Sequence, residues 1–303
     1  MGRSGKELGR NGANRILLLF GAVIAASATW LGVQSVAENW TEESIPHPSN
    51  PKDKDRYIPS RVDEKILWQQ PTGYLLKDIN YPYQETGHVS LFHQVIDPSR
   101  MGLGLIDIGS QQEQDRRRNQ LGQPNLRLPS FLNLEQIWPW LDGRNPISLF
   151  PGPSYRQGIL THPVKNYSED LQLPPDDIFE PETTRALIII PDKKRISISN
   201  SDPGQLQIPG QIVIVGKNPF GKENWLQQRA RTIAYMDSGS NLNVLTFTQA
   251  TRKIVTGYLE SVGIEPNSAI NLSGGRAAGL VVNGVMLQPT AETTRHALYT
   301  YPI

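Results

Sequence analysis

Two hydrophobic periods run along this chain, and the shorter one dominates. Residues 185–190 are almost all apolar, residues 195–199 alternate apolar with polar, and Asp192-Lys193-Lys194 stands between them, so the segment reads as a hairpin. Residues 88–97 and 102–108 read similarly, as paired strands turned by Asp97-Pro98-Ser99-Arg100. Residues 211–215 are a largely β-branched run between Gly210 and Gly216, the form of a buried strand. Leu280-Val281-Val282 and Val285-Met286-Leu287 enclose Asn283-Gly284, a hairpin signal because both turn residues accept positive φ.

Two stretches carry the longer period. Residues 248–262 place Ala250, Ile254, Tyr258 and Val262 on one helical face, with Gly263 where a helix ends. Residues 132–141 bring Leu134, Ile137, Trp138 and Leu141 together, and Pro139 must shorten or kink the helix they form. Many strands with a few helices between them predict an α+β domain built on mixed sheets.

The N-terminus follows neither pattern. Arg3, Lys6, Arg10 and Arg15 precede an apolar stretch over residues 16–37, and Glu38, Glu42 and Glu43 follow it. Such a stretch is about long enough to span a bilayer, with its positive flank on the cytoplasmic side. Ser35-Val36-Ala37 also offers the small residues of a signal-peptidase site, so the segment reads equally as a transmembrane anchor or as a cleaved signal peptide. Both readings put the remainder on the extracytoplasmic side, membrane-anchored or secreted. Residues 1–15 are then a basic cytoplasmic tail, residues 38–61 a proline- and charge-rich linker, and residues 62–303 a single domain.

Composition removes several chemistries. Among 303 residues, 30 Lys and Arg stand against 29 Asp and Glu with no basic half, so nucleic acid has no electrostatic footprint here. The absence of cysteine removes disulfides, thiolate catalysis and cysteine-ligated metals together. Arg116-Arg117-Arg118 reads as a solvated loop. The acidic stretch of Glu169, Asp170, Asp176, Asp177, Glu180 and Glu182 lacks the spacing of a cation site. His88, His93, His162 and His296 form no pair on one helix face, and His88 reads as a structural histidine. No metal and no cofactor is expected.

The segment that most invites a ligand is Ala269-Ile270-Asn271-Leu272-Ser273-Gly274-Gly275-Arg276-Ala277-Ala278. A strand that ends in two glycines lets the backbone come close to a ligand, because neither residue has a Cβ in the way. The elements around it follow a recognisable order: Arg231-Thr232 with a strand after it, a helix ending Tyr258-Leu259-Glu260-Ser261-Val262-Gly263-Ile264, then the glycine strand, then Val281-Val282-Asn283-Gly284. Over residues 229–289 this order resembles the C-terminal half of the phosphodiester glycosidase family. The resemblance implies a sugar phosphate or cell-envelope glycan as ligand, Ser273 and Arg231 at the catalytic positions, and Thr232, Gly274, Gly275, Arg276, Gly152 and Tyr155 lining the substrate.

The chain departs from that family at both signatures. The family's Asn-Leu-Asp-Gly-Gly-Gly-Ser stands here as Asn271-Leu272-Ser273-Gly274-Gly275-Arg276-Ala277, without the aspartate or the serine. Its Asn-Gly-Gly-Tyr-Phe falls on Phe150-Pro151-Gly152-Pro153-Ser154-Tyr155, where Gly152 and an aromatic remain. Cleavage at an anomeric carbon passes through an oxocarbenium-like state that wants a nearby carboxylate, which Ser273 cannot supply. Arg276 could instead clamp phosphate. The expectation is a phosphodiester-glycosidase-like domain that acts on or binds a sugar phosphodiester or glycan of the cell envelope, with a site that is either degenerate or a working glycosidase using other acids; the alternative is a non-catalytic binding or assembly module on the same fold.

Overall fold

Strands account for about half of the described residues, the largest share of any element, as the dominant period requires. The computed structural model describes residues 63–83, 87–153, 155–156, 159–167, 169–174, 184–200, 206–220, 227–265 and 268–303. The expected tail, the apolar stretch over 16–37 and the linker lie outside these residues, and among those described no helix is long and apolar enough to cross a membrane.

Among the described residues seventeen strands follow in chain order: β1 (Asp63–Gln70), β2 (Tyr74–Tyr83), β3 (Gly87–Ile96), β4 (Met101–Asp107), β5 (Ser148–Pro151), β6 (Tyr155–Arg156), β7 (Ile159–Leu160), β8 (Val164–Lys165), β9 (Thr184–Ile190), β10 (Arg195–Asn200), β11 (Ile212–Lys217), β12 (Arg229–Met236), β13 (Leu242–Ala250), β14 (Ala269–Gly274), β15 (Leu280–Val282), β16 (Val285–Gln288) and β17 (His296–Pro302). The larger sheet has the order β1-β2-β3-β13-β12-β14-β11-β9-β10, with β8 also on β11. The smaller sheet has the order β16-β15-β5-β17-β4, and β6 and β7 form a separate ribbon. The α-helices among the described residues are α1 (Gln111–Leu121), α2 (Leu134–Ile137) and α3 (Arg252–Ser261).

Alternation along the strands assigns each face to a core. Ala234, Val244, Ile270 and Leu272 of the larger sheet share one cluster with Leu103, Leu105, Phe150, Leu280 and Leu298 of the smaller, so the two sheets bury this layer between them. The opposite face of the larger sheet, through Ile233, Tyr235, Leu245 and Phe247, packs on Ile254, Val255, Tyr258 and Leu259 of α3. The outer face of the smaller sheet, through Ile106, Leu149, Val281 and Ala297, packs on Leu134 and Ile137 of α2 and on Trp140 and Leu141 beyond it. The result is helix, sheet, sheet, helix, an α+β arrangement in which the ladders among the described residues are antiparallel.

Several sequence expectations need correction. Residues 88–97 and 102–108 are both strands but not a pair: β3 lies between β2 and β13, whereas β4 pairs with β17 in the other sheet. The turn at Asp97 therefore switches sheets instead of closing a hairpin. The helix expected over 248–262 starts later, because β13 continues to Ala250 and Thr251 caps α3 by accepting from the Ile254 amide at 3.3 Å. Val262, expected on the buried face, is 44% exposed. Arg116-Arg117-Arg118 is no loop; it lies in α1, where Arg116 pairs with Glu113 at 2.9 Å and Arg118 with Asp115 at 2.9 Å. His88 is exposed at the start of β3 instead of structural.

Other expectations hold. The β9–β10 hairpin forms in register, and Lys194 leaves its turn at φ 48°. The β15–β16 hairpin turns on Asn283 and Gly284 at φ 51° and 78°. Helix α2 is a single turn capped by Asn133, and Pro139 follows it inside a 3-10 turn over Trp138–Leu141. Strand β14 is central, between β12 and β11.

Candidate functional site

The expected glycine segment forms the crossing between the two sheets. Strand β14 ends at Gly274, a short 3-10 turn spans Gly275–Ala277, and Leu280 opens β15 in the smaller sheet. Gly275 begins the turn at φ 67°, which a residue with a Cβ rarely adopts. Gly274 itself is extended, and its lack of a side chain serves a different need. Arg231 lies opposite it in the β12–β14 ladder, and the Arg231 guanidinium nitrogen Nη1 fills the space that a Cβ on Gly274 would take. Arg229 lies beside Gly275 without taking that space, its Cδ and Nη1 3.5 and 3.7 Å from the corresponding point, an ordinary van der Waals contact. Burial, and then the charge of Arg229, lower the pKa of Arg231 from its ordinary value.

A β-bulge decides which expected site residues share a face. Ser273 stands opposite Thr232 while Asn271 stands opposite Ile233, so Leu272 is the extra residue on β14. With a regular ladder Ser273 would oppose Arg231 and point toward α3. The bulge turns it to the other face, into the layer between the sheets, where Thr232 alternates away from Ile233 and Tyr235. Thr246 of β13, opposite Thr232, joins them. All three hydroxyls are buried, at 0% for Thr232 and Thr246 and 2% for Ser273, and none has a hydrogen-bond partner. Arg231 and Ser273, expected together, therefore stand on opposite faces of the same sheet.

The smaller sheet brings a charged cluster to the same end of that layer. Asp107 of β4 and His296 of β17 face each other in register, next to Leu105 and Leu298 on the inward face. Continuing the β15–β5 register, Val281 opposite Leu149, brings Ala278 of the crossing to the level of Gly152. Gly152 donates to the His296 carbonyl at 3.4 Å, and a Cβ on it would sit 3.3 Å from that oxygen. Asp107 receives Arg295 through Nε at 2.6 Å and Nη2 at 2.7 Å, His296 Nε2 at 3.2 Å, the Gly109 amide at 2.9 Å and Gln172 Nε2 at 3.4 Å. Burial alone would raise its pKa, but His296 and Arg295 together hold it well below the usual carboxylate range.

Of the residues expected from sequence, Arg231, Gly274 and Gly275 meet on the α3 side, with Arg276 exposed on the next turn position. Thr232 and Ser273 meet on the inner side. Gly152 follows β5 on the smaller sheet, and the Tyr155 backbone pairs with Leu160 in the β6–β7 ribbon. Sequence reasoning missed Arg229, Thr246, Asp107 and Arg295, and left His296 among scattered histidines. Only Arg295-His296 directly before an alternating strand gave any signal; the rest depends on register. The arrangement offers cations to an anion on one face of the crossing, and on the other a carboxylate already engaged by five donors. Among the described residues no group of three acidic or histidine side chains could hold a metal ion.

Neither family models nor curated proteins match this chain. Among solved structures, a hypothetical protein from Synechocystis is similar at 9% identity and a TM-score of 0.46, covering 76% of this chain and 62% of its own. The catalytic domain of zebrafish N-acetylglucosamine-1-phosphodiester alpha-N-acetylglucosaminidase, auto-inhibited by its pro-peptide, is similar at 11% identity and a TM-score of 0.48, covering 79% and 88%. A protein of Burkholderia pseudomallei K96243 assigned as exported follows at 10% identity and a TM-score of 0.35, covering 72% and 74%. This chain thus spans less than two thirds of the Synechocystis protein. At such identities and TM-scores none of the three assigns an activity here.

Proposed function

We propose that this domain binds a sugar phosphate or phosphodiester-linked glycan of the cell envelope at the Gly274-Gly275 crossing, and hydrolyses it poorly. The observation that carries the reading is the Arg231 guanidinium laid over Gly274, where the missing side chain lets a cation lie against the backbone of the crossing. Guanidinium groups suit phosphate because their paired N–H donors match its oxygens. Weak hydrolysis follows from the residues on the inner face. Ser273 offers a hydroxyl where an oxocarbenium-like state wants a carboxylate, and Asp107 is held ionised by Arg295 and His296.

Turnover of a chromogenic phosphodiester glycoside, beside calorimetric titration of a sugar phosphate, tests this. Binding without appreciable turnover is expected. Robust turnover abolished by Ser273→Ala would overturn the degenerate site, and no binding of any sugar phosphate would leave the assembly-module reading. Export is part of the proposal: reporter fusions at Ser60 should be active only outside the cytoplasm, and a mature N-terminus at Glu38 would distinguish a cleaved signal from an anchor.

A further inference from the structure

A cavity of about 70 Å³ opens where the rims of the two sheets meet, away from the crossing. Strand β4 ends the order of the smaller sheet, and the turn between β9 and β10, at the end of the larger, packs against it. Leu103, Ile189 and Ile196, all part of the core between the sheets, form the floor. Tyr301 forms a wall. It stands opposite Gly102 in the β4–β17 ladder, and a Cβ on Gly102 would meet the Cζ, Cε1 and Cε2 atoms of its ring, so the ring lies across β4 instead of standing away from it. The charged residues of the lining are Lys194 and Arg195, both basic and both exposed, and Lys194 is fixed in the turn at φ 48°. Acids on the two neighbouring turns are engaged elsewhere: Ser99 donates to Asp97 at 2.6 Å and Arg100 pairs with it at 3.6 Å, while Tyr167 donates to Asp192.

An apolar floor beneath a basic rim suits an amphipathic anion. A cavity about twice this volume accommodates benzene, so this one admits roughly four carbon atoms. From this we infer a second binding site, for a small carboxylate carrying a short, branched apolar group of about four carbons. The apolar group fills the cavity against Tyr301, and the carboxylate faces Arg195 and Lys194. Tyr301 lies about 17 Å along β17 from His296, at the other end of the strand from the crossing. The site therefore goes beyond the proposed function and shares no residue with it.

Saturation-transfer NMR titrations of the full chain in mild detergent, with detergent alone as the blank, test this with isovalerate, acetate and isoamyl alcohol. Isovalerate should bind at least about tenfold more tightly than acetate, which lacks the apolar group, or isoamyl alcohol, which lacks the charge. Lys194→Met and Arg195→Met keep apolar stems and remove the charges, so each should weaken isovalerate about three- to tenfold and leave the alcohol within about twofold. Lys193→Met, on the same exposed turn but outside the lining, should change neither. Tyr301→Ala should weaken acid and alcohol alike by about threefold or more. The two rim variants, at exposed positions, keep the test intact if that ring is needed for folding. Octanoate should gain less than about tenfold over isovalerate, because its extra carbons find no cavity; a larger gain would refute the short ligand. Alcohol binding as tight as that of isovalerate, or rim variants without effect, would overturn the anionic ligand. An equal loss in Lys193→Met would reveal diffuse attraction and sink the site as well. No isovalerate binding below about 50 mM would remove the site and leave the reading of the Gly274-Gly275 crossing to its own test.

Discussion

Replacing Asp107 by Asn keeps the shape of the side chain and removes its charge, which isolates what the cluster between β4 and β17 contributes. Asp107 is fully buried, and Arg295, His296, Gly109 and Gln172 all donate to it. Asparagine keeps one acceptor oxygen and turns the other into a donor, so one side of the fork meets Arg295 or His296 donor to donor. Breaking a buried ion pair from one side costs about 3–5 kcal/mol. Because the Arg295 side chain is 31% exposed, water offsets part of its stranded charge, and the expected cost is about 3 kcal/mol. Urea unfolding at pH 7, followed by tryptophan fluorescence, reads it directly. The pH dependence gives a second reading. The folded pKa of Asp107 is depressed, so its contribution is fully present above the unfolded value of about 3.9 and is lost as pH falls through that value toward the folded one. The gap between wild type and variant should therefore stay constant from pH 7 to about 5 and narrow below about 4. A difference under about 1 kcal/mol at pH 7, or a gap as wide at pH 3 as at pH 5, would refute the account.

Three smaller perturbations test the layers around it. Ile254→Ala, at a fully buried position of α3, should open a cavity and cost about 2–4 kcal/mol in a denaturant titration, and a loss below about 0.5 would mean that this helix face is not packed. Thr232→Val exchanges a buried hydroxyl without a partner for a methyl group, so thermal unfolding should show a gain of about 1 kcal/mol; a loss of that size would reveal a bonded hydroxyl. Gly274→Ala needs no unusual backbone, since φ is −153°, and its Cβ meets only the flexible end of Arg231. It should leave stability within about 1 kcal/mol while weakening phosphate binding about tenfold, and unchanged binding would separate Arg231 from the anion site.

Local patterns were legible in the sequence and pairings were not. The Asn283-Gly284 turn and the alternation after Lys194 each fix a hairpin, because the strands they join are neighbours in sequence and space. The Asp97-Pro98-Ser99-Arg100 turn carries a similar local signal, yet the strands on either side enter different sheets. Nothing within a few residues of a turn distinguishes a hairpin from a switch of sheet, since that choice rests on which distant strands bury each face. The boundary between β13 and α3 was misplaced for a related reason. Ala250 and Ile254 fall on one helical face, but Ala250 also completes the strand that opposes Arg229, and pairing with β12 outweighs the helical period.

The candidate site shows the same limit at the scale of one residue. Arg231, Thr232, Ser273 and Gly274 were expected to converge, and the β12–β14 ladder does set them side by side. The single extra residue at Leu272 then divides them, sending Ser273 and Thr232 into the layer between the sheets and leaving Arg231 with Gly274 on the α3 side. Because strand side chains alternate with a period of two, a one-residue slip exchanges every side chain beyond it between faces. The bulge therefore bears on function as well as packing. It separates Ser273 from Arg231, so an aspartate placed at position 273 would point at the inner face, toward Thr232 and Thr246, and away from the guanidiniums. A serine at position 273 and the separation of the faces bear on the proposed function in one direction: the arginines and the residue before the two glycines cannot act on the same ligand group from one face of the sheet.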